Sequence, residues 1–328
     1  MTETPDSSGA PRVLVVGAGS AGRRHTKLLS DLGCRVHIID PDLTRANALA
    51  REVGGTVIPS GAEWADEWSG VVIASPSSFH AEQGLRASDA GTRVLIEKPL
   101  ATSPDAALGL IAPGRNIAVA YNLRFAPPVQ WVVGAVRRGS IGEPVSASVW
   151  FGQYLPDWRP DTDHRASYSA RSELGGGILL DASHEIDLLC WLFGGEPWTV
   201  PGAVVERRSD VTVDADDSVA ALLVSPDGVP VTTSLDMLSR RYRRGVEVVG
   251  TEATARLDWA KGRGELESGT RVEAFEGPFD IGESYRAQAR ASFEWFAGGP
   301  PLPANARSGL EVVGLCAQIR EAANRSTS

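Results

Sequence analysis

The sequence predicts an α/β chain: a doubly wound parallel sheet followed by a second region of the α+β class. Three observations carry this. Across 12–120, short continuous apolar runs alternate with helix-period segments, the order that builds parallel strands joined by crossover helices. After Tyr121 that alternation stops, and strand patterns dominate 199–275. The length of 328 residues accommodates two domains of ordinary size.

The elements follow in order. Residues 1–11, MTETPDSSGAP, have neither the basic start nor the apolar core of a signal peptide and read as a disordered tail. "RVLVV" (12–16) is a strand apolar on both faces, as in a covered parallel sheet. A helix over 21–32, the strand "RVHII" (35–39) and the helix "LTRANALAREV" (43–53) come next. Further strands are "VVIAS" (71–75), "RVLIE" (93–97) and "NIAVA" (116–120). The second region, 121–328, begins with a helix over 128–138 and a strand over 144–151. A polar loop (152–174) leads into a helix over 178–193, then several alternating strands, then closing helices near 285–297 and 308–325.

Composition narrows the function. With 42% apolar and 22% charged residues the chain reads as a soluble globular protein. A net charge of −9 without long Arg/Lys runs argues against nucleic acid as a partner. The short cluster Arg240, Arg241, Arg243 and Arg244 reads as a solvated edge or a subunit contact. No apolar run approaches the length of a membrane span. Cys34, Cys190 and Cys316 are far apart and suggest reduced thiols in the cytoplasm, with neither a disulfide framework nor a metal site.

The first chemical motif is "VLVVGAGSAGRRH". Gly17, Gly19 and Gly22 have G-x-G-x-x-G spacing between a predicted strand and a predicted helix. In that setting the glycines allow a tight turn, and backbone N–H groups, with Ser20 and Ala21 among them, face a pyrophosphate. Asp40 ends the second strand, 18 residues after Gly22, where an acid accepts both adenosine ribose hydroxyls. It also repels a 2′-phosphate, so NAD is expected. Arg23, Arg24 and Arg45 keep NADP open.

Two further pieces lie at carboxyl ends of predicted parallel strands, where such sheets bind ligands. "ASPSSFH" (74–80) supplies Ser75, Pro76 and His80, and "EKPLA" (97–101) supplies Glu97 and Lys98. Taken alone, a Lys-Pro is an ordinary surface pair. "GGGILLDASHEID" (175–187) adds Asp181, His184, Glu185 and Asp187. On one continuous helix Asp181 and His184 share a face, as do His184 and Asp187, so one carboxylate is expected to hold the imidazole. The three glycines are expected to let the backbone lie against a bulky ligand such as a nicotinamide ring. Glu185 is either a third polar contact or a rim residue.

Together these pieces resemble the glucose–fructose oxidoreductase / inositol dehydrogenase (Gfo/Idh/MocA) family. The matching residues are the glycine loop, the Pro76–His80 spacing, Glu97-Lys98-Pro99, Asn122 with Arg124-Phe125, and the 175–187 run. The resemblance implies a Rossmann domain over 12–120, then a large open-faced, mostly antiparallel sheet domain over 121–328 for substrate binding and oligomerisation. It implies nicotinamide chemistry on sugars, nucleotide sugars or cyclitols. Lys98, Asp181 and His184 would surround the carbinol carbon, and Asn122 would join the cofactor contacts. Two departures stand out: Ser77 where many relatives have Asn, and His184 three residues after Asp181 where many relatives have four.

The expected reaction is oxidation of a secondary alcohol or its reverse. His184 exchanges the hydroxyl proton, Asp181 orients it, and Lys98 stabilises the alkoxide-like oxygen. Substrate candidates are Arg124, Tyr154, Trp158, Arg159 and Arg165: aromatic faces suit sugar C–H faces, and arginines suit carboxylate or phosphate. One alternative is an NAD-dependent lyase or glycoside hydrolase working by transient oxidation, with Tyr154 or Tyr168 as an extra acid or base. Another is a non-catalytic dinucleotide sensor. Apolar positions in "VAALLV" and "TTSLDML" suggest a face for a homodimer or homotetramer.

Overall fold

A computed structural model describes residues 9–61, 64, 67–89, 91–158, 160 and 163–326. Residues 1–8 of the expected tail lie outside the described residues.

The first sheet contains β1 (Arg12–Val16), β2 (Arg35–Ile39), β3 (Thr56–Val57), β4 (Gly70–Ile73), β5 (Arg93–Ile96) and β6 (Ile117–Val119). Its order is β3-β2-β1-β4-β5-β6, and all pairs are parallel. The helices between them are α1 (Ser20–Asp31), α2 (Leu43–Val53), α3 (His80–Asp89) and the short α4 (Pro104–Ala107). Local chemistry sets these limits. Asp42 accepts the Arg45 N–H at 3.0 Å to start α2, which ends at the left-handed Gly54. Sequence order reverses between β1 and β4, which opens a crevice at the strands' carboxyl ends.

Alternate residues of these strands enter different cores, because side chains along a strand point to opposite faces. Leu14, Ile73 and Ile96 join the large core shared with the second region, while Val13, Val15, Val72 and Leu95 pack with Trp295 and Phe296. Those two aromatics belong to α8 (Ile281–Phe296), so the chain returns late to cover the first sheet. It also returns at Asn305, which bridges to Ala118.

The second sheet contains β7 (Pro144–Gly152), β8 (Thr199–Glu206), β9 (Ser218–Val224), β10 (Pro230–Asp236), β11 (Arg243–Gly250), β12 (Thr254–Asp258), β13 (Arg263–Ser268) and β14 (Arg271–Ala274). Its order is β14-β13-β12-β11-β7-β10-β9-β8, with β7 and β10 parallel and the other pairs antiparallel. The inner face meets α5 (Pro127–Arg137), α6 (Ile178–Asp181), α7 (Ser183–Phe193) and α9 (Ala306–Ser326). Strict alternation in β9 puts Val219, Ala221 and Leu223 inside and leaves Leu222 exposed on the outer face.

Three expectations change. The two-residue strand β3 has too little pattern to be read from sequence. The described residues of the 152–174 loop form four short 3₁₀ turns. The helix expected over 178–193 is two helices: Ala182 departs to φ −90° and ψ +26°, and this turns α7 away from the line of α6. No helix among the described residues is long and apolar enough to cross a membrane.

Candidate active site

A cleft of about 1080 Å³ runs along the carboxyl ends of β1, β4 and β5. Gly17, Gly19, Ser20, Ala21, Asp40, Ser75, Pro76, His80, Glu97 and Lys98 all line it. Gly22 lies behind the loop; a Cβ there would overlap the Gly17 carbonyl oxygen, so the loop and α1 close together only with glycine. Asp40 Oδ2 accepts the Ala18 N–H at 2.7 Å and Oδ1 the Asp42 N–H at 2.8 Å. A carboxylate has about four acceptor positions, so room remains for ribose hydroxyls. Arg45 lies 3.3 Å from Asp40, and Arg23 is drawn off to Glu52 at 2.5 Å. The donor set, the aspartate and the cleft fit a dinucleotide.

At the inner end of the cleft, side chains fasten the loops. Ser75 Oγ donates to Gln83 Oε1 at 2.6 Å. Both His80 ring nitrogens face carbonyl oxygens, that of Pro99 at 2.8 Å and that of Ser75 at 2.9 Å, which ties the ends of β4 and β5 together. His25 of α1 meets Glu97 Oε1 at 2.8 Å. Burial alone would raise the Glu97 carboxyl. The His25 hydrogen bond and the charges of His25, Arg24 and Lys98 overcome that and hold it at about 2.

Lys98 crosses from β5 to the helix pair. Its Nζ donates to the Asp181 main-chain oxygen at 2.7 Å and lies 3.6 Å from Oδ1. Tyr168 donates its hydroxyl to the same Oδ1 at 2.7 Å. Asp181 Oδ2 and His184 Nδ1 are buried without hydrogen-bond partners. Leaving such atoms unpaired costs about 1–3 kcal/mol each, so their retention at this place calls for a reason other than stability. Burial, then the positive charges of Lys98, Arg244 and Arg24, pushes the His184 pKa well down and keeps the ring neutral.

The scaffold beneath is also polar. Asp216 Oδ2 accepts the Leu179 N–H at 3.0 Å, and its Oδ1 pairs with Arg320 of α9 at 2.9 Å, which anchors the start of α6. Gly177 sits there at φ +108°, and a Cβ would strike the Asp216 carboxylate. Glu185 is 3% exposed and holds Arg244 of β11 through contacts of 2.6 and 3.2 Å.

The family model for the oxidoreductase NAD-binding Rossmann fold matches residues 11–114, and that for the Gfo/Idh/MocA C-terminal domain matches 129–256. The chain belongs to the Gfo/Idh/MocA family. This member of the family is an NAD-binding oxidoreductase of the dehydrogenase class. Inositol 2-dehydrogenase 2 of Paenarthrobacter aurescens is 29% identical over 316 residues, covering 91% of this chain and 92% of that protein. Levoglucosan dehydrogenase, solved with NADH and levoglucosan, superposes with a TM-score of 0.84 at 21% identity, covering 96% of this chain and 98% of the other. GenD2 from gentamicin A biosynthesis, solved with NAD, gives 0.82 at 24% identity over 99% and 97%. Likeness at these identities establishes the shared fold.

Several site expectations need correction in this Gfo/Idh/MocA protein. No Asp181–His184 hydrogen bond forms among the described residues. The kink at Ala182 breaks the helical wheel on which it was drawn, and Lys98 and Tyr168 take Asp181. Asp187 does not hold His184 either, because it forms a buried bidentate pair with Arg124 at 2.7–3.2 Å. Arg124 also donates to the Pro303 carbonyl at 2.8 Å, so its guanidinium is engaged within the protein. Asn122 Nδ2 is spent on Ser284 Oγ at 2.6 Å, and Asn122 does not line the cleft. The glycine run faces protein: Gly175 abuts Thr102 and Ser77, Gly176 abuts backbone carbonyls, and Gly177 abuts Asp216.

The loop candidates divide. Tyr154 lies under the Arg240 guanidinium, 3.6 Å from the ring centre. Trp158 packs edge-on against Phe151 and donates Nε1–H to the Gln153 carbonyl at 3.2 Å. Neither lines the dinucleotide cleft. Arg165 is exposed and donates to the Asp210 carbonyl at 3.2 Å. Arg159 lies outside the described residues. Arg244 is no solvated edge, since its Glu185 pair sits on α7. Sequence reasoning missed the roles of Asp216, His25 and Arg244. Of these only His25 had a local signal, three residues past the last glycine on the helix's inner face.

Proposed function

We propose that this enzyme interconverts a secondary alcohol and a ketone on a sugar, nucleotide sugar or cyclitol, with NAD as redox partner. The observation that carries the reading is the Lys98 ammonium, which lines the cleft and lies 3.6 Å from Asp181, where Asp181 Oδ2 is buried without a partner, as is His184 Nδ1 three residues on. A carbinol hydroxyl, both donor and acceptor, suits that set. Bound NAD supplies the hydride acceptor, and its reduced form the donor. The chain's own residues manage the proton. His184, neutral in its buried setting, takes the hydroxyl proton in oxidation and returns it in reduction. Lys98 donates to the reacting oxygen and favours its negative charge. Asp181 acts through Lys98 and Tyr168 rather than on the imidazole.

In this reading residues 12–120 bind cofactor, while 121–328 bind substrate and form subunit contacts. The outer sheet face, with Val204 and Leu222 exposed, suits a homodimer or homotetramer. Three unbridged, buried thiols suit a reducing cytoplasm. The test incubates the protein with NAD or NADH and a panel of nucleotide sugars, free sugars, inositols and their keto forms, following the absorbance of the reduced ring. Turnover that disappears in His184→Ala while NADH binding persists supports the reading. Wild-type turnover by His184→Ala overturns the role of His184.

The Tyr168–Asp181 bond favours one second reading, an NAD-dependent lyase or glycoside hydrolase with Tyr168 as the additional acid or base. Product formed without net NADH distinguishes it.

A further inference from the structure

We propose that the substrate is a sugar acid, and that Arg24 receives its carboxylate. The proposal rests on the dehydrogenase reading above and narrows its substrate class.

Arg24 stands out by its partners. On its two sides in α1, Arg23 leans on Glu52 and His25 meets Glu97. Around the site, Lys98 lies against Asp181, Arg244 against Glu185 and Arg124 against Asp187. Arg24 has no carboxylate partner among the described residues. Its guanidinium carbon lies instead 4.0 Å from the centre of the Tyr285 ring.

Two contacts locate that stack. The residue after Arg24 bonds Glu97 at 2.8 Å, at the end of β5. The residue before Tyr285 bonds Asn122 at 2.6 Å, just past β6. Arg24 therefore sits where α1 and α8 meet over the reactive end of the sheet. It does not line the dinucleotide cleft. Its charge also lowers the pKa of both Glu97 and His184, favouring the carboxylate of one and the neutral ring of the other, as a nearby cation does.

A tyrosine face holds the guanidinium plane and leaves its edge N–H groups free, in the fork that matches a carboxylate. A neutral polyol has no charge to offer that fork. A phosphate dianion carries more charge than one guanidinium neutralises, and the neighbouring cations Arg23, Lys98 and Arg244 already have acids. Arg24, half-buried, is thus arranged for a single planar anion.

The experiment uses the purified full chain with NAD and matched neutral and acidic sugars: glucose with glucuronate, galactose with galacturonate. The wild type is expected to favour the acid in kcat/KM. Arg24→Leu is expected to lower the acid-to-neutral ratio about 30-fold, the size of a lost charge-assisted hydrogen bond. Arg24→Lys should recover part of it, and Tyr285→Ala should lower the ratio by loosening the stack. NADH affinity, read by fluorescence without substrate, is expected to change less than about twofold. A wild type that prefers the neutral sugars overturns the proposal, as does an unchanged ratio in Arg24→Leu or a large loss of NADH affinity in that variant. If no sugar is oxidised, the dehydrogenase reading fails separately. Calorimetry of glucuronate and galacturonate with the NADH-loaded protein then decides: binding lost in Arg24→Leu supports the carboxylate site, and no binding overturns it.

Discussion

Lys98 Nζ donates to the Asp181 carbonyl at 2.7 Å, joining two residues 83 apart in sequence. The contact binds the end of a first-sheet strand to the kinked helix pair. It also sets an ammonium beside Asp181, whose Oδ2 is buried without a partner.

Removing that ammonium is the sharpest test. Lys98→Met keeps most of the aliphatic stem and removes the charge. Its kcat should fall by about 10²–10³ in steady-state assays, with a much smaller change in NADH affinity by fluorescence.

The pH profile should betray the buried imidazole. Oxidation needs His184 unprotonated. Burial, then the charges of Lys98, Arg244 and Arg24, sets its pKa well below the ordinary 6.5, so the acid limb of kcat/KM for oxidation should lie below pH 6.5. The same depression makes the unfolded chain the better proton acceptor. Stability from this group is therefore complete above the ordinary value and declines as pH falls toward the folded one. Thermal melts between pH 7 and pH 5 should show a smaller loss for His184→Asn than for the wild type.

Asp216 should prove to be a positioning residue. Asp216→Ala removes the acceptor for the Leu179 N–H and the partner of Arg320. Loss of a helix-start acceptor costs about 1–2 kcal/mol, which should lower Tm by a few degrees. Because α6 carries Asp181, kcat should drop more than KM rises.

The Arg124–Asp187 pair predicts an effect on folding, not on recognition. Asp187→Asn or Arg124→Met leaves a buried charge unmatched and should cost about 3–5 kcal/mol in denaturant titrations. The double substitution should recover much of that loss. A large KM effect with unchanged stability for Arg124→Met would return it to the substrate site.

Cofactor choice should depend on Asp40. Asp40→Ala is expected to lower kcat/KM for NAD about 10–100-fold and to narrow the gap to NADP, since an acid at this strand end is proposed to accept the ribose hydroxyls and to repel a 2′-phosphate. Parallel assays with the two nucleotides measure this.

The parts whose signals are local can be read directly from the residue order. The apolar strands β1 and β2, the helix α2 with its Asp42 start, and the glycine loop are legible because period, capping and spacing act within a few residues. So is the position of Lys98 at a strand end. Which acid meets which cation emerges only from the folded chain. Asp187 goes to Arg124, Glu185 to Arg244 and Glu97 to His25, across 63, 59 and 72 residues. No local pattern encodes such a pairing, because it depends on how distant elements are brought together in the fold. The turn at Ala182 is the clearest case: one non-helical residue re-aims every side chain after it, and with it the partners of Asp181 and His184.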